Sequence, residues 1–197
     1  HLFEKIKKSD VISFVSKTVA LQNDIYTSKA VDNRMGVYCL IECMKRLKNN
    51  TFGCEIVFLA AVQEEVGCRG AKVGAYRINP DCAIVIDVTH AKTPYTDGSD
   101  TAFALGSGVA IAVGPNLHPR LTEKIKNAAG DIPHTIEVCN ASSGTDAWVI
   151  QTAKKGIPTA LVSAPLRYMH TQVEAFCKTD IEAIISLICK SVEEGLV

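Results

Sequence analysis

The sequence has no excess of charge of either sign: 21 Lys and Arg side chains stand against 21 Asp and Glu. That balance argues against nucleic acid or an anionic membrane as the main partner, because both select for a basic surface. It also contains no run of about 18 uncharged apolar residues, so no membrane-spanning helix is expected. The eight cysteines include no C-x-x-C pair, and most sit in apolar surroundings, Cys39 and Cys43 among them. Buried free thiols in a reducing compartment, the cytoplasm, fit this better than a disulfide framework or a zinc ribbon. G-x-S-x-G and H-E-x-x-H are both missing, which removes a serine elbow and a metal site built on one helix. The opening HLFEKIKKSD has neither an initiator Met nor an apolar signal core, so the chain is expected to be a piece of something longer.

What is present is an ordinary globular balance, 47% hydrophobic and 21% charged over 197 residues, enough for one sizeable core. The opening thirty residues, rich in Val, Ile, Ser and Thr, read as short strands and turns. From Met35 to Leu47, apolar residues at Val37, Leu40, Ile41, Met44 and Leu47 take helical spacing. Strands are expected at Glu55–Val62, Cys82–Ile86, Val109–Val113, His134–Val138 and Pro158–Val162. Helices are expected at Pro119–Ala129, closed by Gly130, and at Asp146–Lys154. The run TDIE predicts a last helix opening in a capping box, with Thr179 capping and Glu182 answering it. Near-continuously apolar strands alternating with helices predict an α/β layered domain with a central mixed, largely parallel sheet.

In such sheets ligands sit beyond the carboxyl ends of the strands. Gln63, Glu64 and Glu65 follow the first apolar strand, Asp87 follows CAIVI, and SAPLRYMHTQVE after the last strand holds Arg167, His170 and Glu174. Asp32, Asn33 and Arg34 stand just ahead of the first helix. Taken singly, each has an ordinary use: Asp32 as a helix cap, Asp87 in a turn, His170 solvated, the Glu pair at a helix start. Taken together, dispersed carboxylates and one imidazole suit a divalent cation. Successive residues leaving a strand point to different sides. Two adjacent carboxylates therefore divide the work, one holding metal and the other taking a proton from the water that the metal activates. Gly67 and Gly70 allow the tight turn this needs.

The segments AVDNRMG, VQEEVGCRGA, PDCAIVIDVTHA, LGSGVAI, GTDA and GIPTALVSAPLRYMHTQVE, in this order and spacing, resemble the glutamyl or deblocking aminopeptidases. The resemblance runs from about Asp10 to Gly195 and implies a cytosolic, co-catalytic metallopeptidase. That family assembles as tetrahedral dodecamers, and some members carry the label endoglucanase. It implies two divalent ions, zinc or cobalt first and manganese also suitable, and short peptides as substrates. Carried over residue by residue, Asp32 would bridge both ions and Glu64 would be the general base. Glu65 and His170 would ligate one ion, and Asp87 the other. Arg167 and the Gly144–Thr145–Asp146 turn would contact substrate or line the pocket. Family members often have a second Asp where this chain has Asn33. They also supply a His to the second ion from an N-terminal H-x-D segment, and no H-x-D occurs here. On this reading residues 1–28 end an inserted β-rich dimerisation domain, and residues 29–197 form the C-terminal part of the catalytic domain. These 197 residues alone are then expected to have low or no activity.

Two other classes remain at this point. A carbohydrate hydrolase would use paired carboxylates facing each other across a cleft, without a metal, yet Glu64 and Glu65 are adjacent and aromatics are few, with one Trp and five Tyr. A non-catalytic scaffold would keep the carboxylates as vestiges and bind no stoichiometric metal.

Overall fold

The computed structural model describes residues 5–96, 103–140 and 142–196. Among the described residues, seven strands form one mixed sheet: β1 (Val19–Ala20), β2 (Ile25–Ser28), β3 (Ala83–His90), β4 (Val109–Val113), β5 (His134–Val138), β6 (Thr159–Arg167) and β7 (Glu174–Cys177). Their order is β1-β2-β7-β6-β4-β5, with β3 also on β6. The two longest ladders, β3 on β6 and β4 on β5, are parallel, while β1–β2, β2–β7, β4–β6 and β6–β7 are antiparallel. The expected mixed sheet is present, with parallel pairing in those two ladders.

β6 is the spine. All of its residues but Arg167 are buried, because the strand is sandwiched between two apolar layers. Ala160, Val162, Ala164 and Leu166 face a core made with α1 (Val31–Leu47), α3 (Pro119–Ala129) and α5 (Lys178–Glu193). Leu161 faces the other way, toward α2 (Arg69–Ile78) and α4 (Ala147–Ile150), where Ala71, Ala75, Ala147 and Ile150 pack. The period-two alternation of a strand thus sends successive apolar side chains into two cores. No helix among the described residues is long and apolar enough to cross a membrane. None of the eight cysteines is paired.

Several elements differ from their sequence-based expectation. Glu55–Val62 forms no strand. Ile56 and Phe58 pack against the larger core while Val57 and Val62 stay exposed, so the alternation is present, but no ladder partner lies beside it among the described residues. α2 was hidden by Gly70 and Gly74, which interrupt the helical period; Leu59 packs where a Cβ on Gly74 would stand. β3 runs on to His90 instead of stopping at Ile86, since Asp87 to His90 pair with Ser163 to Leu166. β6 likewise continues to Arg167, and Leu166 and Arg167 pair with β7. α4 is four residues long, not reaching Lys154, which is left-handed at φ 51° and followed by the turn into Ile157. The capping box does not form. α5 is capped by Cys177 without a side-chain bond, Thr179 lies against the Cys177 thiol, and Glu182 accepts two bonds from Arg46.

Candidate metal centre

The turn between Val62 and α2 sets the site. The N–H groups of Gly67 and Cys68 donate to the Glu64 carbonyl at 3.0 and 2.9 Å, and Gly70 N–H donates to the Val62 carbonyl at 2.9 Å. A Cβ on Gly70 would lie 2.4 Å from the Val62 nitrogen and 2.6 Å from its oxygen, so the backbones approach this closely only because the residue is glycine. Gly67 takes φ 112° in the same turn. The result is that the adjacent Glu64 and Glu65 side chains reach different neighbours.

Glu65 turns toward Asp32 and His170. His170 Nε2 lies 3.0 Å from Asp32 Oδ2 and 3.7 Å from Glu65 Oε2. One ligand atom from each of the three falls within 4.8 Å of the other two. Asp32 comes from the non-helical start of α1, Glu65 from the turn, and His170 from the loop after β6. Two carboxylate oxygens and one imidazole nitrogen facing one point make a donor set suited to a divalent cation.

Glu64 goes the other way. Its Oε1 accepts from the Cys68 thiol at 3.5 Å, and Glu64, Cys68 and Asp146 bring ligand atoms within 4.8 Å of one another. A cleft of about 250 Å³ opens here, lined by Glu64, Glu65, Cys68, Gly144, Thr145 and Trp148. A second cleft of about 430 Å³, lined by Lys29, Asp32, Glu65, His170 and Glu174, adjoins it through Glu65. Gly144 and Thr145 thus line the first cleft. Asp146 does not line it; its carboxylate meets Glu64 and Cys68, and its buried Oδ1 has no hydrogen-bond partner.

Asp87 lies inside β3 and not at its end, buried at 7% exposure, and its Oδ1 accepts the Val88 N–H at 2.9 Å. It is outside both three-residue groups. Burial pushes its carboxyl up to about 8; the Val88 N–H opposes this, and the charges of Asp32, Glu64 and Asp146 add to it. Asp32 is raised by burial and by Glu65, with His170 pulling it back. Glu64 is raised by burial, eased by the Cys68 hydrogen bond, and raised again by Glu65 and Asp146. Burial likewise raises Asp146. Four carboxyls shifted in one direction mark a pocket short of positive charge. Asn33 joins it to the sheet: Nδ2 donates to the Ile86 carbonyl at 2.8 Å while Oδ1 accepts the Gly36 N–H at 3.0 Å. An ionised Asp at this position could make only the second of those bonds.

The structure therefore brings together Asp32, Glu65 and His170, sets Glu64 beside them, and keeps Asp87 behind as a charge neighbour. Arg167 is held elsewhere, its Nε donating to the Lys92 carbonyl at the end of β6. Cys68 was missed as a site member, and Glu174, named in the loop after the last strand, had no role assigned. Cys68 contacts Glu64, and its spacing four residues on was a usable signal. Glu174 contacts the backbone of Asp32 and of His170, and a carboxylate opening the apolar run VEAFC was its mark in the sequence.

The family model described as M42 glutamyl aminopeptidase matches residues 3–187. A lysyl aminopeptidase from Pyrococcus furiosus is 36% identical over 183 residues, covering 92% of this chain and 52% of that protein. An aminopeptidase from the archaeon Desulfurococcus kamchatkensis superposes with a TM-score of 0.85 at 33% identity, covering 92% of this chain and 52% of that one. The Pyrococcus horikoshii TET1 peptidase, described as assembling into a tetrahedron or a large octahedral shell, gives 0.78 at 28% identity, covering 96% and 56%. A Thermotoga maritima protein named endoglucanase gives 0.72 at 28% identity, covering 93% and 54%. The chain spans about half the length of the curated relatives it matches.

Proposed function

The chain belongs to the M42 glutamyl aminopeptidase family, and from that premise we propose that it is part of a metal-dependent aminopeptidase releasing the N-terminal residue of short peptides. The observation that carries the reading is the convergence of Asp32, Glu65 and His170, with the adjacent Glu64 turned instead toward Cys68 and Asp146. Asp32, Glu65 and His170 would hold one divalent ion; Asp32 would be shared with a second, for which this chain offers Asp87. Zinc, cobalt and manganese all suit oxygen and imidazole donors. When bound, such ions would supply Lewis acidity that polarises a carbonyl and lowers the pKa of water. Glu64 is the group that takes the proton from the attacking water and later passes it to the leaving amine. Its raised pKa, from burial first, brings it closer to the working pH of a general base. Asn33 ties the start of α1 to β3 through the Ile86 carbonyl behind that pair. Gly144 and Thr145 wall the side of the cleft where substrate would lie, with Asp146 behind Glu64 and Cys68.

The assemblies described for similar peptidases support a homo-oligomer, of dodecameric type, for the whole protein. Residues 1–28 are assigned to the end of an inserted dimerisation unit and 29–197 to the catalytic part. Glu64→Ala in the whole protein tests the chemistry, with metal content and turnover measured on the same preparation. The expected result is metal retained and turnover reduced by about 10²–10⁴-fold; loss of metal as well would make Glu64 a ligand and reverse the roles of the pair. EDTA should abolish turnover, whereas a glycosidase would be spared.

A further inference from the structure

Glu174 opens β7, is 1% exposed, and touches both segments that carry the Asp32–His170 pair. Its Oε2 accepts the N–H of Val31 at 2.6 Å and of Asp32 at 3.3 Å, and its Oε1 accepts the N–H of His170 at 2.9 Å. No Lys, Arg or His side chain pairs with it among the described residues. A buried carboxylate without a cation persists only where hydrogen bonds fill its lone pairs. Here backbone donors from two distant segments do so.

Neither segment is held by its own secondary structure. α1 starts after Ala30 at φ 50° with no side-chain cap, and Asp32 and Asn33 are non-helical. His170 stands at φ 63° in a loop. Backbone in such regions is kept only where its surroundings over-determine it. We infer that Glu174 is a positioning residue for the metal centre: its two oxygens fix the start of α1 and the His170 loop against each other, and so set the spacing of the Asp32 carboxylate and the His170 imidazole. The inference rests on the metal-centre reading above. Gln has the same size but turns one acceptor into a donor facing an N–H, which releases one segment.

The test is a cobalt titration of the whole chain, following visible absorption and melting temperature, for the unaltered protein, Glu174→Gln and Asp180→Asn. Asp180 is the matched control: fully buried, it accepts the N–H groups of Gly106 and Gly108 at 2.8 and 2.7 Å, on a different loop. Both variants should melt lower. Only Glu174→Gln should weaken cobalt binding, by about 10–100-fold, and change the cobalt spectrum, while Asp180→Asn stays within about twofold of the unaltered chain. A folded Glu174→Gln with unchanged affinity and spectrum overturns the proposal, and so does equal weakening by Asp180→Asn. If Glu174→Gln does not fold, hydrogen exchange on the unaltered chain decides. Cobalt should slow the Val31, Asp32 and His170 amides, and unchanged exchange refutes the clamp. An unaltered chain that binds no cobalt sinks the metal-centre reading itself, a separate outcome from a clamp that fails at a working site.

Discussion

His170 Nε2 lies 3.0 Å from Asp32 Oδ2 although the two residues belong to opposite ends of the chain. Asp32 is nearly enclosed, with 9% of its side chain exposed, whereas 64% of the His170 side chain meets solvent. An arriving cation would therefore meet the imidazole from the open side and the carboxylate from the closed one.

His170→Ala should leave the fold intact, because the side chain contributes little buried area. Cobalt affinity should fall by more than the roughly 10–100-fold typical of an outer-shell partner. Calorimetric titration and melting temperature on one sample check both halves, and unchanged affinity would falsify the ligand role.

Asp87 predicts a pH dependence. Its carboxyl is raised from an ordinary 3.8 to about 8 when folded. Between those values the folded chain holds a proton that the unfolded chain has released, so stability falls as pH rises. The contribution is complete below about 3.8, declines by at most about 1.4 kcal/mol per pH unit, and is gone once the pH passes about 8. Asp87→Asn, denatured by urea in EDTA from pH 5 to 8, should show a flatter slope than the parent. Asp32, Glu64 and Asp146, raised in the same direction, keep it from vanishing.

Gly70→Ala should disturb the centre from outside it. The new Cβ would press on the Val62 backbone, costing about 1–3 kcal/mol by overpacking. The displaced turn should move Glu65 and weaken cobalt binding. A variant that loses stability yet binds cobalt like the parent would show that Glu65 is not held by this turn.

Ile184→Ala tests the core independently of the site. Ile184 is fully buried in α5 against α1 and the sheet, so truncation should cost about 2–5 kcal/mol. Val138, 72% exposed on β5, should lose no more than about 0.5 kcal/mol on conversion to Ala. Urea denaturation of both variants makes the comparison, and similar losses would contradict the burial seen here.

Composition and periodicity were enough to read the layered α/β class, β4, β5, α3 with its Gly130 stop, and the body of α1. Each of those segments carries its own period and its own punctuation. Adjacent Glu64 and Glu65 do reach different neighbours, but the turn after Val62 separates them, not an extended strand exit. Other features depended on partners far away in the chain. β3 and β6 outrun their apolar runs because each extends the other's ladder, and β7 exists because β2 and β6 flank it. Glu55–Val62 has strand composition and stays unpaired for want of a neighbour among the described residues. Thr179 and Glu182 fit a capping box by spacing, yet Cys177 and Arg46 engage them first. The metal-centre candidates were chosen from residue types, but which of them meet was decided in three dimensions. Asp32, Glu65 and His170 converge, Asp87 stands behind them, and Glu174 joins two of their segments, because the sheet and its buried carboxylate bring distant backbones together. Sequence spacing carries local period; proximity between distant segments is created by packing.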